Sequence, residues 1–374
     1  MKNYIYADNA ATTQMDTEAF EAMKPYLLYE FGNASQAYSF SRHPKKAIQE
    51  AREVIASCIG ALPEEVFFTS GGTESDNWAI KGIAFRNNNK QATITTAFEH
   101  HAVLHACEAI ERLKYPVAYM WPDKNGIITP DALRRYITDE TQLVSIMYAN
   151  NEIGSIQPIK ELCKIAHKHG ALFHTDAVQA VGHVQIDVND LSVDMLSASA
   201  HKFNGAKGVG FLFIRKGTPI AAYADGGAQE YGLRAGTENV AGIVSMAVAL
   251  KKNIEDLNRN HEHVINLEKL LLKKLNEKGV SFVRNGGDQT LPGIISLSFE
   301  GKDGEAILHR MDLMGICIST GSACDSKNTD ISHVLKALKI PDNLAKGTIR
   351  ISLGKNNTEE EVEAIAVALK KILL

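Results

Sequence analysis

Apolar and polar positions fall in alternating blocks along this chain. Short, nearly continuous apolar runs at 66–69, 92–95, 143–147, 171–174, 193–197 and 210–214 predict buried strands. Between several of them the apolar residues take helical spacing. The clearest case, 159–169, predicts a helix closed by Gly170. Strand and helix in alternation imply a mostly parallel sheet covered on both faces, an α/β fold. A long helical pattern from Thr237 to about Lys278, broken near Asn258-Arg259-Asn260, marks a boundary. Beyond it, strands at 294–299, 316–319 and 347–353 alternate with helices, which predicts a smaller α+β domain. No internal repeat or low-complexity segment interrupts this order.

The chain of 374 residues is long enough for two domains, since one domain typically takes about 100–200 residues. A net charge of −4 argues against non-specific nucleic-acid binding, which needs a basic surface. No apolar run reaches the roughly 18 residues of a membrane span. The amino-terminal stretch lacks the apolar core of a signal peptide, so the expected location is cytoplasmic. Five cysteines are too few and too scattered for a disulfide scaffold. Cys58, Cys107 and Cys163 lie in helical patterns as small hydrophobes, and Cys317 reads as part of a core strand. Cys324 differs: Ser319-Thr320-Gly321-Ser322-Ala323-Cys324-Asp325-Ser326-Lys327-Asn328 offers it no apolar face. A thiol in such a segment is a liability unless it is used.

Ligands of open α/β sheets bind beyond the carboxyl ends of the strands, so the polar residues that follow the predicted strands are the candidates for chemistry. Asp176 and Lys202 follow two such strands. A partly desolvated lysine there can form a Schiff base, and an aspartate beside it can pair with a protonated pyridine nitrogen, as pyridoxal phosphate requires. Ser70-Gly71-Gly72-Thr73-Glu74-Ser75-Asp76 leaves a strand and opens a helix carrying Trp78, Ile80 and Ile83. Its glycines let a phosphate approach the positive helix end, and Thr73 with Asp76 has capping-box spacing. His100, at a strand-to-helix junction, is placed to stack on a flat ring and move protons. His101 and His105 share a helix face at metal-ligand spacing, but no third ligand accompanies them and no resident metal is expected. His261-Glu262-His263 reads as a solvated helix face. Arg350, in the middle of a predicted strand, either faces water at an edge or clamps a carboxylate through two parallel hydrogen bonds.

These motifs together resemble the NifS/IscS-type group I cysteine desulfurases, within the class V aminotransferases of fold-type-I pyridoxal-phosphate enzymes. The resemblance covers essentially the whole chain. It rests on Tyr6-Ala7-Asp8-Asn9-Ala10-Ala11-Thr12-Thr13, Thr69-Ser70-Gly71-Gly72-Thr73-Glu74-Ser75, Glu99-His100, Asn150-Asn151-Glu152-Ile153-Gly154, His174-Thr175-Asp176-Ala177-Val178-Gln179, Ser199-Ala200-His201-Lys202, Gly226-Gly227-Ala228-Gln229-Glu230, Arg234-Ala235-Gly236-Thr237 and Gly321-Ser322-Ala323-Cys324. It implies a large cofactor-binding domain over 15–257 and a small domain made of 1–14 with 258–374. By resemblance, Lys202 binds pyridoxal 5'-phosphate covalently, Asp176 pairs with its ring nitrogen and His100 stacks on the ring. Gln179 and Asn151 would flank the ring oxygen. Gly72, Thr73, Ser199 and His201 would hold the phosphate, and Thr237 would reach that of a neighbouring subunit, which implies a homodimer. Arg350 would bind the carboxylate of L-cysteine, with Asn33 assisting and Asn151 beside it. Cys324 would take the sulfur as a persulfide, serve at most as a transient iron–sulfur ligand, and pass sulfur to an acceptor protein such as an iron–sulfur scaffold. The chain departs from the family pattern at Tyr38, Ser41 and Asp325. Selenocysteine lyase or another class V aminotransferase or lyase activity is the alternative reading.

Overall fold

The computed structural model describes residues 4–86, 90–321 and 331–374. Twelve strands occur among the described residues: β1 Ile5–Tyr6, β2 Val66–Thr69, β3 Ala92–Thr96, β4 Val117–Met120, β5 Thr141–Ser145, β6 Leu172–Asp176, β7 Met195–Ser199, β8 Gly210–Ile214, β9 Val283–Asn285, β10 Ile294–Ser298, β11 Ile316–Cys317 and β12 Thr348–Ser352. Seven of them form one sheet in the order β2-β8-β7-β6-β5-β3-β4. All neighbours in it are parallel except those of β8, which runs antiparallel to β2 and β7. The α/β architecture expected from the alternating pattern is therefore present, with β4 as an additional edge strand.

Side chains on a strand alternate between faces, and here each face feeds its own core. Phe211 and Phe213 of β8 enter a cluster with Ile55, Phe98 and Phe173, while Leu212 and Ile214 enter another with Trp78, Ile83 and Ile110. The smaller sheet, β12-β10-β9, is antiparallel and has a separate core of Leu271, Ile295, Leu297, Ile351 and Val362, joined by Ala7. The helical pattern expected over 237–278 is two helices, Val240–Glu255 and Leu257–Glu277, which meet at Asp256. Thr237 lies outside them, because Asn239 caps the first through the N–H of Gly242. Val334, Ala337 and Leu338 pack into the core of the large sheet although they follow the small sheet's strands in sequence. No helix among the described residues is long and apolar enough to cross a membrane.

One buried ion pair ties the segment before Thr237 to the sheet. Glu230 and Tyr231 both have left-handed backbone, with φ of 45° and 58°, a conformation that costs non-glycine residues energy. Surrounding contacts hold them there. The Glu230 carboxylate accepts from Arg52 Nη1 at 2.9 Å, Arg52 Nη2 at 2.7 Å and the N–H of Phe68 at 2.9 Å. Arg52 also donates to the carbonyl of Val66 and lies over the Phe68 ring, 4.4 Å from its centroid. Removing one partner of a buried pair strands the other charge. Glu230→Ala is expected to lower unfolding free energy by about 3–5 kcal/mol, read from denaturant curves. Replacing both Glu230 and Arg52 with apolar residues should cost less than either single change.

Candidate active site

Parallel neighbours end on the same side of a sheet, and β6 and β7 use this to bring an acid and an amine together. Asp176 closes β6 in register with Ser197. Ser199 closes β7, and the short 3-10 turn Ala200–Lys202 returns the lysine over the strand ends. The Lys202 ammonium donates to the carbonyls of Ala10 and Ala11, at 2.5 and 2.9 Å. The Ala10 carbonyl also accepts from Gln179 Nε2 at 2.9 Å. Asp176 accepts the N–H of Val178 at 2.9 Å. Burial pushes its carboxyl up to about 6, against the pull of that N–H and of Lys202.

Behind Asp176 the floor is polar and dry. His174 lies between the hydroxyls of Ser145, at 2.8 Å, and Ser197, at 2.9 Å, and burial drives it down to about 3, so it is neutral. Asp76 is fully buried, and its Oδ1 has no hydrogen-bond partner among the described residues. Burial, and then the charge of Asp176, hold its carboxyl well above the ordinary range. His100 caps the helix His101–Arg112, its Nδ1 accepting the N–H of Ala102 at 3.1 Å. That bond leaves the ring proton on Nε2. Burial first, then Lys202, push His100 down to about 4.

The phosphate end is the start of the helix Gly72–Ala84. Thr73 and Asp76 do not form the expected capping box: Gly71 is the N-cap, with φ 145° and no side-chain cap. The carboxyl that would have capped the helix lies in the cavity floor instead, which leaves the first-turn N–H groups for an anion. A Cβ on Gly72 would sit 2.6 Å from Val178 Cγ2, so glycine permits this close approach. His201, bonded to the Thr12 hydroxyl at 3.1 Å, is pushed down to about 4 by burial and then by Lys202.

A cavity of about 310 Å³ is lined by Gly72, Thr73, His100, Asn151, Asp176, Gln179, Ser199, His201, Lys202 and Arg350. Arg350 is buried rather than turned to water. Its Nη1 donates to the carbonyl of Asn151 and its Nη2 to Asp8, each at 2.8 Å, and its Nε has no hydrogen-bond partner among the described residues. Asn33 and Thr237 line a separate groove with Leu27, Phe31 and Glu238. Cys324 and Asp325 lie outside the described residues. The His101 ring stacks on His105 at 5.1 Å and lies 4.6 Å from His333, and no cluster of metal-ligand type occurs among the described residues. His263 is not simply solvated, since its Nε2 bonds the carbonyl of Asn357 at 2.9 Å. Sequence reasoning missed Asp76 as a floor residue. For Asp76 the signal was present: helical spacing sets it on the same apolar face as Ile80 and Ile83.

Residues 5–365 match the family Aminotransferase class-V. The chain is 47% identical to a cysteine desulfurase IscS of Dictyoglomus turgidum over 376 residues, which cover 100% of this chain and 95% of that protein. A solved NifS-like protein superposes with a TM-score of 0.93 at 37% identity, covering 99% of both chains. The structure of SspA in complex with cysteine superposes with a TM-score of 0.84 at 36% identity, covering 95% of this chain and 100% of that one. Pyridoxal phosphate is the cofactor of these proteins, and the cavity fits it: an uncapped helix end suits the phosphate, Asp176 suits a ring cation, and Lys202 suits the aldehyde. With its match running through nearly every element of both sheets, the chain belongs to the class V aminotransferase family.

Proposed function

We propose that this chain is a pyridoxal-phosphate-dependent cysteine desulfurase, converting L-cysteine to L-alanine and retaining the sulfur as a persulfide on Cys324. The observation that carries the reading is the convergence of Lys202, Asp176, His100 and Arg350 on one cavity whose wall includes Gly321, just before the cysteine segment. Residues 15–257 would then form the cofactor-binding domain, and 1–14 with 258–374 the small domain.

When bound, the cofactor supplies an electron sink for the pair released at the substrate's Cα. The protein's part is positional and protonic. Gly72, Thr73, Ser199 and His201 hold the phosphate, and Asp176 keeps a proton on the ring nitrogen. Gln179 and Asn151 flank the ring oxygen. His100, uncharged, covers the ring face. Arg350 orients the cysteine carboxylate, with its guanidinium braced by Asp8 and the Asn151 carbonyl. The Lys202 amine would carry protons to and from the substrate's carbon atoms, with the carbonyls of Ala10 and Ala11 holding it nearby. The Cys324 thiolate attacks the substrate sulfur. The carbon–sulfur bond breaks, a sulfur–sulfur bond forms, and the electron pair stays with carbon. Carbon takes up a proton and leaves as alanine, so no outside oxidant is needed.

The chain acts as a homodimer. Leu27 and Phe31 are exposed on the groove that holds Thr237 and Asn33, and Phe40 is exposed with its ring 5.3 Å from that of Phe31; exposed apolar side chains grouped in this way favour a partner surface. With Thr237 then serving the phosphate of the second copy, the site is complete only in the pair. The sulfur acceptor is a further protein, such as an iron–sulfur scaffold, in the cytoplasm.

Three outcomes are expected. The purified protein is yellow and borohydride bleaches it, whereas Lys202→Ala forms no reducible link; a wild type that stays colourless with added pyridoxal phosphate contradicts the cofactor assignment. Cys324→Ser keeps the cofactor and changes colour with cysteine, yet releases almost no alanine. Mass spectrometry of the wild type after brief exposure to cysteine finds one added sulfur on the Cys324 peptide, and sulfur on another cysteine would refute its role. Sedimentation gives a dimer, and Leu27→Asp combined with Phe31→Asp shifts it towards monomer with loss of bound cofactor.

A further inference from the structure

Glu152 lies next to Asn151 on the cavity wall. Its carboxylate meets Gly321 and Ser332, one on each side of 322–330. The Ser332 hydroxyl donates to Glu152 Oε2 at 2.6 Å in a buried contact. That hydroxyl also accepts the N–H of Val334 at 3.1 Å, capping the helix His333–Ala337, so its one proton is committed to Glu152. On the other side, Gly321 packs its backbone against the same carboxylate. A Cβ there would lie 2.2 Å from Oε2 and 3.0 Å from Cδ, so no larger residue fits without displacing Glu152.

The support under Glu152 is stiff. Asn150 Oδ1 accepts the N–H groups of Glu152 and Ile153, at 2.8 and 3.0 Å, and Asn150 Nδ2 donates to the carbonyl of Phe98 at 2.9 Å. Arg350 Nη1 holds the Asn151 carbonyl, and the backbone of Arg350 exchanges hydrogen bonds with Ser319 at 3.0 and 2.6 Å. Past Ser332, His333 Nε2 bonds the carbonyl of Glu99 at 2.8 Å, and Val334 and Ala337 enter the large core. One tight turn, 150–154, thus carries both the brace of Arg350 and the contact point for the two flanks of the cysteine segment.

We propose that Glu152 is a positioning residue for sulfur transfer: its carboxylate fixes both ends of the segment that carries Cys324 relative to the substrate held by Arg350. The inference rests on the desulfurase reading and adds to it a residue that acts after cofactor and cysteine have bound. A short, buried hydrogen bond suits this role, because breaking it would strand a polar group away from water. Reacting groups displaced by about 1 Å can lose up to about a hundredfold in rate.

The test uses the full-length holoenzyme with Glu152→Ala, Glu152→Gln, Ser332→Ala and Ser332→Thr. Cofactor absorbance, the cysteine concentration that half-saturates the colour change, and single-turnover alanine release are measured on each. Glu152→Ala should keep the first two within about twofold and slow alanine release about tenfold or more. Glu152→Gln should recover much of the rate, since its amide oxygen still accepts from Ser332. Ser332→Ala should slow release while Ser332→Thr, which keeps the hydroxyl, restores it. Alanine release by Glu152→Ala at the wild-type rate overturns the proposal. So does a loss of cofactor or of cysteine binding large enough to explain the slower rate, because Glu152 would then serve the pocket itself. If Glu152→Ala fails to fold, the Ser332 pair decides by the same criteria. A wild type that releases no alanine would instead refute the desulfurase reading, so the two failures are distinct.

Discussion

Like charges confined in a poorly solvated space repel strongly, and that limits what the floor of this cavity can be. Asp76 and Asp176 line it, Glu99 is buried close enough to feel the charge of Asp176, and His174 between the serines is neutral. Burial pushes Glu99 up to about 8, with the Met147 N–H and the Thr96 hydroxyl opposing, and it also raises Asp76 well above its ordinary range. Asp176 is the member that ionises first, because it has an N–H bond and faces Lys202. Asp176 therefore presents the negative charge that faces Lys202. That suits a single ring cation. Around this, strand ends supply the charged pair, and a helix start without a side-chain cap lies on the same cavity.

One wall of the cavity is built from the short segment 8–11, which works largely through its backbone. The Ala10 carbonyl receives both Lys202 and Gln179, and Asp8, two residues earlier, braces Arg350. The same short segment continues from β1, which pairs with β11, the strand leading towards the cysteine segment. Lys202, Arg350 and β11 are thus set against one another by a few residues near the start of the chain, mostly through backbone atoms. A rigid site of this kind loses little to reorganisation when charge moves within it.

Legibility in the sequence followed the physics of each element. Runs at 66–69 and 210–214 match β2 and β8 to the residue, since glycines and polar residues bound them closely. The run at 143–147 is displaced from β5, Thr141–Ser145, because residues 146 and 148 leave the sheet while their N–H groups still bond the carbonyls of His174 and Asp176. The half-buried edge strand β4 has too weak a pattern to stand out. Lys202, Asp176 and the Gly72 turn were readable because their chemistry is in the side chain and their place follows a strand. The Ala10 carbonyl was not, since a backbone acceptor leaves no trace in residue type. Whether Arg350 faces water or a pocket depended on Ser319, Asp8 and Asn151, and pairing among such distant segments cannot be read from local spacing.

The pairing of Asp8 with Arg350 spans 342 positions, which has a consequence for synthesis. A segment that emerges early must wait without its partner until residue 350 has been made and folded. The large sheet, whose strands are complete by residue 214, can organise long before that. Until the early segment docks, Lys202 lacks its two carbonyl acceptors and Arg350 lacks its acidic brace. A chain that ends before residue 350 therefore carries the sheet and its lysine without the arginine that Asp8 braces.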